Sequence, residues 1–481
     1  MNTKENKTKS NELKSEGPDL SGYTLVSEGG RSANFFWISA IATSYTNKTP
    51  GMNFSTIAIG NSKDEESSWT VAISNILEYK KFAGEFLSNP KKLMDLENAF
   101  FKSKDLACKI ITEKSYTIEK LSELFECIQI ATYYAAVLRF MDKGLQQYFE
   151  NVTCLGLTGE KLTHKLGISK TPSYLAQEEI DTLKECKNNN ANNDKNIQKS
   201  AKLLYDKYSH ITLGYHNELQ RDIEFYKEHI KTHKSDWQER LKAIEHKLES
   251  AIVEREKYYN SLSSEQKIVA NILSKIIEMK DSYKFNVNII IKLLDSNLFE
   301  MLSKKYSIKD IKEIKNYSFE EIINLISKNE KVKEEILQAR KKRYVMIGGL
   351  QKPLILYGKD ADSYESQHLK INTSISILKG RTACKGNAKG KAIIVLGHKH
   401  FNLINNGDII VVRNTSPDYT PILKKVSAVI AEDGGLTAHV SVISRELNIP
   451  CIVGVQHATS IITNGDMLEV DADNGIIKIL K

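Results

Sequence analysis

The sequence is short of several features, and each absence excludes a class of protein. Its six cysteines (Cys108, Cys127, Cys154, Cys186, Cys384 and Cys451) are scattered along 481 residues with no CxxC spacing. That speaks against a disulfide frame or a structural zinc site and for a reduced, cytoplasmic, metal-free protein. No apolar run approaches the roughly 20 residues that span a membrane. The first twenty residues are polar, without an apolar signal core. Neither sign of charge dominates: 68 lysines and arginines against 60 acidic residues leave a net charge of +8, and the signs interleave. No nucleic-acid-binding module is visible, so neither nucleic acid nor a membrane is expected as a partner. His398-Lys399-His400 reads as a solvated loop, not a metal site, and no internal repeat is present.

What is there begins with length. At 481 residues the chain exceeds one ordinary core, and two or three domains are expected. Residues 1–20 read as a disordered polar tail, and residues 21–365 as mainly α-helical. Ile118, Leu121, Leu124, Phe125, Ile128 and Ala131 recur at helical spacing, as do Trp237, Leu241, Ile244, Leu248 and Ile252 within a helix over Ser235–Lys257. Ser235 with Gln238, and Ser318 with Glu321, have capping-box spacing. Lys187 to Asn196 has nothing to bury and reads as a loop. Phe35, Phe36, Trp37 and Trp237 read as core. His210, His216, His229 and His233, near Tyr208, Tyr215 and Tyr226, are candidate bases for an acceptor hydroxyl, but half-buried structural histidines are the better reading of any single one.

The sharpest signal lies at the other end. Gly434-Gly435-Leu436-Thr437-Ala438-His439 makes a tight turn into an amphipathic helix, with Val440, Ile443, Ser444 and Leu447 on its burial face. Imidazole is a nucleophile near neutral pH. A phosphoryl group on its ring brings nearly two negative charges, which the N–H groups and dipole of a helix start partly offset. Thr437 is placed to donate a hydroxyl hydrogen bond, and Gly434 and Gly435 let backbone approach without a Cβ.

These residues resemble the phosphohistidine signature of the phosphoenolpyruvate-utilising enzymes, which include phosphoenolpyruvate synthase and rifampin phosphotransferase. Gly434, Gly435, Thr437, Ala438, His439, Arg445, Glu446, Ile449 and Pro450 match its pattern. Ser441 and Ser444 stand where alanines are usual, and Val442 replaces isoleucine. The flanks extend the resemblance over residues 378–481. Gly380 to Gly390 resembles the opening segment, with Cys384-Lys385 in place of Ser-Pro. Gly407 to Val412, followed by Thr415 to Pro421, resembles the strand and loop that face the histidine, and Ala428 to Asp433 reads as a further strand. Asn474-Gly475 between apolar runs is a hairpin signal. A fainter echo over Leu298–Ile322 and Ala339–Lys359 resembles the substrate-binding region of rifampin-phosphotransferase-like proteins.

The resemblance implies a multidomain chain: a mainly α-helical N-terminal region (21–365) that binds a small-molecule acceptor, a hinge at 366–375, and a C-terminal β/β/α swivelling phosphohistidine domain (376–481). The polar stretch Ser363 to Ser376 supplies the hinge. His439 would be the catalytic residue. Thr437, Gly434, Gly435 and Ala438 would stabilise the phosphoryl group, with Thr415 and Arg445 in support. No ATP-grasp domain and no phosphoenolpyruvate-binding barrel is recognisable, so no cofactor is expected on this chain. Mg with ATP or phosphoenolpyruvate would then be held by a partner, a separate ATP-grasp nucleotide-binding subunit. The alternative is a non-catalytic binding or regulatory protein built on the swivelling fold.

Overall fold

In a computed structural model, the described residues are 24–29, 56–63, 66–73, 84–188, 194–211, 221–347, 354–368, 375–396, 398–413, 415, 419–432, 439–455 and 457–480. The tail at 1–20, the cluster Phe35, Phe36 and Trp37, and His216 and Tyr215 lie outside them.

Long helices make up the first region. Helices α1 (Pro90–Glu113) and α2 (Ile118–Phe149) pack as an antiparallel pair, and along α2 the expected apolar face is buried at Leu121, Leu124, Ile128 and Ala131. Ile118, placed on that face by the same spacing, is exposed. Next come α3 (Tyr174–Asn188), α4 (Asp194–Tyr208), α5 (Ile223–Thr232), α6 (Trp237–Asn260) and α7 (Ser264–Leu293). The Lys187–Asn196 loop is therefore shorter than its polarity suggested, because α4 already starts at Asp194.

Capping boxes are found at Ser318–Glu321, heading α8 (Phe319–Lys328), and at Ser263–Gln266, heading α7. The expected box at Ser235 is absent: α6 starts one residue later, with Asp236 as N-cap. Helix α9 (Glu334–Lys342) returns Arg340 to α8, where its guanidinium donates to both Glu321 oxygens at 2.7 and 2.8 Å.

A five-stranded sheet in this region was not foreseen. Strands β1 (Thr24–Gly29), β2 (Thr56–Lys63), β3 (Glu66–Ile73), β4 (Arg343–Ile347) and β5 (Leu354–Tyr357) run in the order β1-β3-β2-β4-β5, all antiparallel. The pairing joins distant chain, with Ile59 opposite Ile347, so no local pattern announces it. Helix α10 (Lys359–His368) packs beside β4 and β5. It carries Ser363 and runs through 366–368, so the start of the expected hinge is helical. Residues 369–374 lie outside the described set.

The C-terminal region is an eight-stranded mixed sheet. Its strands are β6 (Ile377–Lys379), β7 (Arg381–Cys384), β8 (Asn387–Val395), β9 (Ile409–Val412), β10 (Ala428–Ala431), β11 (Cys451–Val453), β12 (Met467–Asp471) and β13 (Ile476–Leu480). They lie in the order β6-β13-β12-β8-β9-β10-β11-β7. Strands β8 to β11 pair in parallel, and the remaining pairs are antiparallel.

Every residue of β9 and β10 is buried, as parallel strands covered on both faces require. Alternate residues feed two cores: Ile409, Val411, Ala428 and Ile430 face one, and Ile410, Val412, Val429 and Ala431 the other. The Asn474-Gly475 hairpin joins β12 to β13 as expected, with Gly475 at φ +68°. Gly390 marks where β8 changes partners from β12 to β9, and a Cβ there would lie 2.5 Å from the Gly407 carbonyl oxygen. A mainly helical first region followed by a mixed α/β sheet domain agrees with the expected fold class.

Candidate functional site

His439 opens helix α11 (His439–Glu446), which follows β10. The helix forms because Val440 is buried and Ile443 and Leu447 pack against the core that also holds Val412, Ala431 and Val453. It stops at Asn448, whose φ of +53° is left-handed, with Pro450 just beyond. Ser441 and Ser444 are fully buried, so serine fits where this packing face would take alanine.

Arg445, expected as a supporting residue, donates to the Ala383 carbonyl of edge strand β7 at 3.3 Å. It ties the histidine helix to the sheet. Beneath the helix, Cys451 and Cys384 are cross-strand partners, and burial pushes the Cys451 thiol up to about 12. Cys451 is inert as a nucleophile near neutral pH.

The parallel pairing of β9 and β10 sends the chain out of both at one sheet edge, where ligands of open α/β sheets collect. After β9 come Arg413 and half-buried Thr415; after β10 come Glu432 and then the segment leading to His439. The topology therefore brings Thr415 and the start of α11 to the same edge. Gly434, Gly435, Thr437 and Ala438 lie outside the described residues, as does the His439 side chain.

Two residues at this edge escaped the sequence reading. Glu432 has 4% of its side chain exposed and approaches Arg413 Nε at 3.6 Å through Oε2. Its Oε1 accepts from both the N–H and the hydroxyl of Thr459 at 2.6 Å. A buried carboxylate so satisfied fixes the chain at the end of β10. The available signal was a charge standing directly after a four-residue apolar strand, twice.

Three of the middle histidines, His210, His229 and His233, fall among the described residues. His229 Nε2 lies 2.9 Å from Glu179, and His233 Nδ1 lies 3.2 Å from Asp236. The His229 hydrogen bond, with help from Arg240, holds the Glu179 carboxyl down at about 2. The hydroxyls of Tyr208 and Tyr226 donate to Asp181 and Glu178, each at 2.6 Å. His210 is buried against Phe285, and desolvation lowers its pKa to about 4. Trp237 packs beside the core formed by α3, α4 and α5. His398 and His400 fall in a 3-10 turn, His398–Leu403. Among the described residues no group of three or more His, Cys, Asp or Glu could hold a metal ion, and no helix is long and apolar enough to cross a membrane.

Residues 404–475 match the family of the PEP-utilising enzyme, mobile domain. The matched residues lie within the C-terminal sheet domain and include His439. Relatives of the chain include a probable phosphoenolpyruvate synthase of Archaeoglobus fulgidus, 29% identical over 165 residues, which are 33% of this chain and 22% of that protein. The probable phosphoenolpyruvate synthase of Pyrococcus horikoshii is 37% identical over 101 residues, 21% of this chain and 12% of the other. The rifampicin phosphotransferase of Bacillus cereus is 29% identical over 181 residues, 38% of this chain and 20% of the other. The chain thus spans about a fifth of the length of these relatives, or less. The matches to the first and third are longer than residues 376–481, so they take in residues upstream of the sheet domain.

Proposed function

We propose that this chain is a phosphotransferase component that carries a phosphoryl group on His439, from a donor site on a separate ATP-grasp subunit to a small-molecule acceptor bound by the helical region. The observation that carries the reading is the place of His439. It heads a helix at the edge where β9 and β10 end, inside a mobile domain of the PEP-utilising kind.

A neutral imidazole nitrogen attacks the donor's terminal phosphorus. The bond to the donor's bridging oxygen breaks, and its electron pair leaves with that oxygen. In the second step an acceptor hydroxyl attacks the phosphohistidine, the P–N bond breaks, and the hydroxyl proton passes to a base. Such transfers depend on positioning and on neutralising charge. The first turn of α11 and the Thr437 hydroxyl supply part of that. Arg413, paired with Glu432, lies at the same sheet edge.

A donor on another polypeptide is proposed because no ATP-grasp signature is recognisable in the sequence before residue 370, although five strands, β1 to β5, lie there. Mg and ATP, or phosphoenolpyruvate, belong to that partner in this reading. The test incubates the pure chain with labelled ATP and magnesium, with and without a stand-alone ATP-grasp protein. Labelling only in the presence of the partner is expected. Labelling of His439 at enzymatic rates by the chain alone refutes the separate donor.

A further inference from the structure

Three polar residues and one aromatic share one face of α7. Glu278, Asp281, Ser282 and Phe285 are spaced i, i+3, i+4 and i+7. A stripe of that kind on a long helix is usually solvated. Here it forms one wall of an open cleft of about 340 Å³, whose other sides are Ser169, Thr171 to Tyr174, Gln177, and Lys207 and Tyr208 at the end of α4. That volume lies at the low end of small-molecule sites, which run from about 300 to 1,000 Å³.

The cavity has an aromatic part and an acidic part. Phe285 is its centre, with its ring 6.1 Å from that of Tyr174 and 6.3 Å from that of Tyr208. His210 backs Phe285 edge-on at 4.5 Å, away from the lining. On the same wall, one and two turns before Phe285, stand Asp281 and Glu278. Asp281 Oδ2 accepts from the Tyr174 N–H at 2.7 Å, which holds the carboxylate in place. Glu278 makes two long contacts, from the Ser169 hydroxyl at 3.3 Å and the Lys170 N–H at 3.4 Å.

Lys207 is the one basic residue among the described lining, and its ammonium is bound to Asp181 at 2.6 Å, outside the cavity. The lining therefore presents two carboxylates without a matching cation of its own. Burial pushes the Asp281 carboxyl up, with exposed Lys284 offsetting part of that. A cation brought in by a ligand would relieve the same cost.

We infer that this cavity binds a small organic cation, an ammonium or guanidinium on a flat apolar body, with the charge between Glu278 and Asp281 and the body against Phe285. An anionic ligand of the same shape is excluded by the two carboxylates. The aromatic side adds attraction for a cation within about 6 Å of a ring. This deepens the transfer reading, and the step from bound cation to phosphoryl acceptor rests on that reading. The binding itself does not.

The test is isothermal titration of the full chain with 2-phenylethylammonium, and with 3-phenylpropionate as the anion of similar shape. Saturable one-site binding of the ammonium is expected, with none of the carboxylate. Asp281→Asn keeps an acceptor for the Tyr174 N–H, and Glu278→Gln serves as a second, independent variant. Each should weaken ammonium binding at least ten-fold while the far-UV spectrum and melting curve persist. Equal binding of the two probes, no saturable heat from the ammonium, or full affinity in a folded Glu278→Gln, Asp281→Asn double variant overturns the inference. His439→Ala should bind the ammonium as the parent does. Cation binding with no chargeable histidine would remove the transfer reading alone, and a chargeable histidine without cation binding would remove this inference alone.

Discussion

The two regions of the molecule handle buried charge in opposite ways. In the helical region, ion pairs are spread through the packing and hold helices to one another: Arg340 clamps Glu321, Arg221 pairs with Glu178, and fully buried Arg255 donates to the Leu166 carbonyl at 3.0 Å. In the sheet domain, β9, β10 and β11 are wholly apolar, and charge gathers where β9 and β10 end. A polar group dispersed among helices stabilises a fold. In the sheet domain the buried carboxylates stand at the ends of the parallel strands, Asp408 just before β9 and Glu432 just after β10. Glu278 and Asp281 on α7 differ from these pairs, because they line a cavity and no ion pair joins either of them to a neighbouring helix among the described residues.

That contrast can be broken by substitution, and the largest effect is expected at Arg340. Removing one partner of a buried pair costs about 3–5 kcal/mol. Because Glu321 keeps 25% of its side chain exposed, Arg340→Ala should lie at the low end of that range. Hydrogen exchange should show the loss in the helical region and leave α11 and the sheet domain protected. Equal loss in both regions would mean that they unfold as one unit.

Thr437→Val should slow charging of His439 roughly ten- to a hundred-fold, since one hydrogen bond to a charged group is worth about 1.5–3 kcal/mol. Unchanged charging would place the hydroxyl away from the phosphoryl group.

Gly390→Ala drives a Cβ against the Gly407 carbonyl oxygen and should destabilise the sheet domain by about 1–3 kcal/mol, leaving the melting of the helical region in place. A neutral result would show that β8 and the Gly407 turn can separate.

The smallest effect is a pH slope. Burial favours neutral His210 in the fold, whereas the unfolded chain takes a proton below its ordinary pKa of 6.5. Its stability contribution is full above pH 6.5 and is lost as pH falls toward about 4, at no more than about 1.4 kcal/mol per pH unit. Comparison of acid melts should show a flatter slope in His210→Leu. An unchanged slope would assign acid sensitivity to other groups.

Legibility followed the range of the interactions. The hairpin at Asn474-Gly475 and the Ser318 cap were readable because each is set within a few residues, and the strands expected within 407–412 and 428–433 are found at 409–412 and 428–431. Ser235 was misread as a cap because Asp236, one step on, takes the place. The five-stranded sheet was missed because β2 finds β4 nearly three hundred residues away, with polar Ser, Thr and Asn along β2 and β3 masking any alternation. At the site, His439 was singled out by its motif, and its backbone opens α11. Arg413 and Glu432 were not singled out, because their meaning comes from parallel pairing of strands that the sequence alone does not pair. The cavity on α7 was invisible for the same reason: its far wall comes from residues about a hundred positions earlier.

The central claim is that His439 carries phosphate, and the most direct measurement is phosphopeptide mapping of the charged protein. The label should be acid-labile and base-stable, should map to His439 alone, and should vanish in His439→Ala. Label that persists in that variant, or maps to any other residue, contradicts the account.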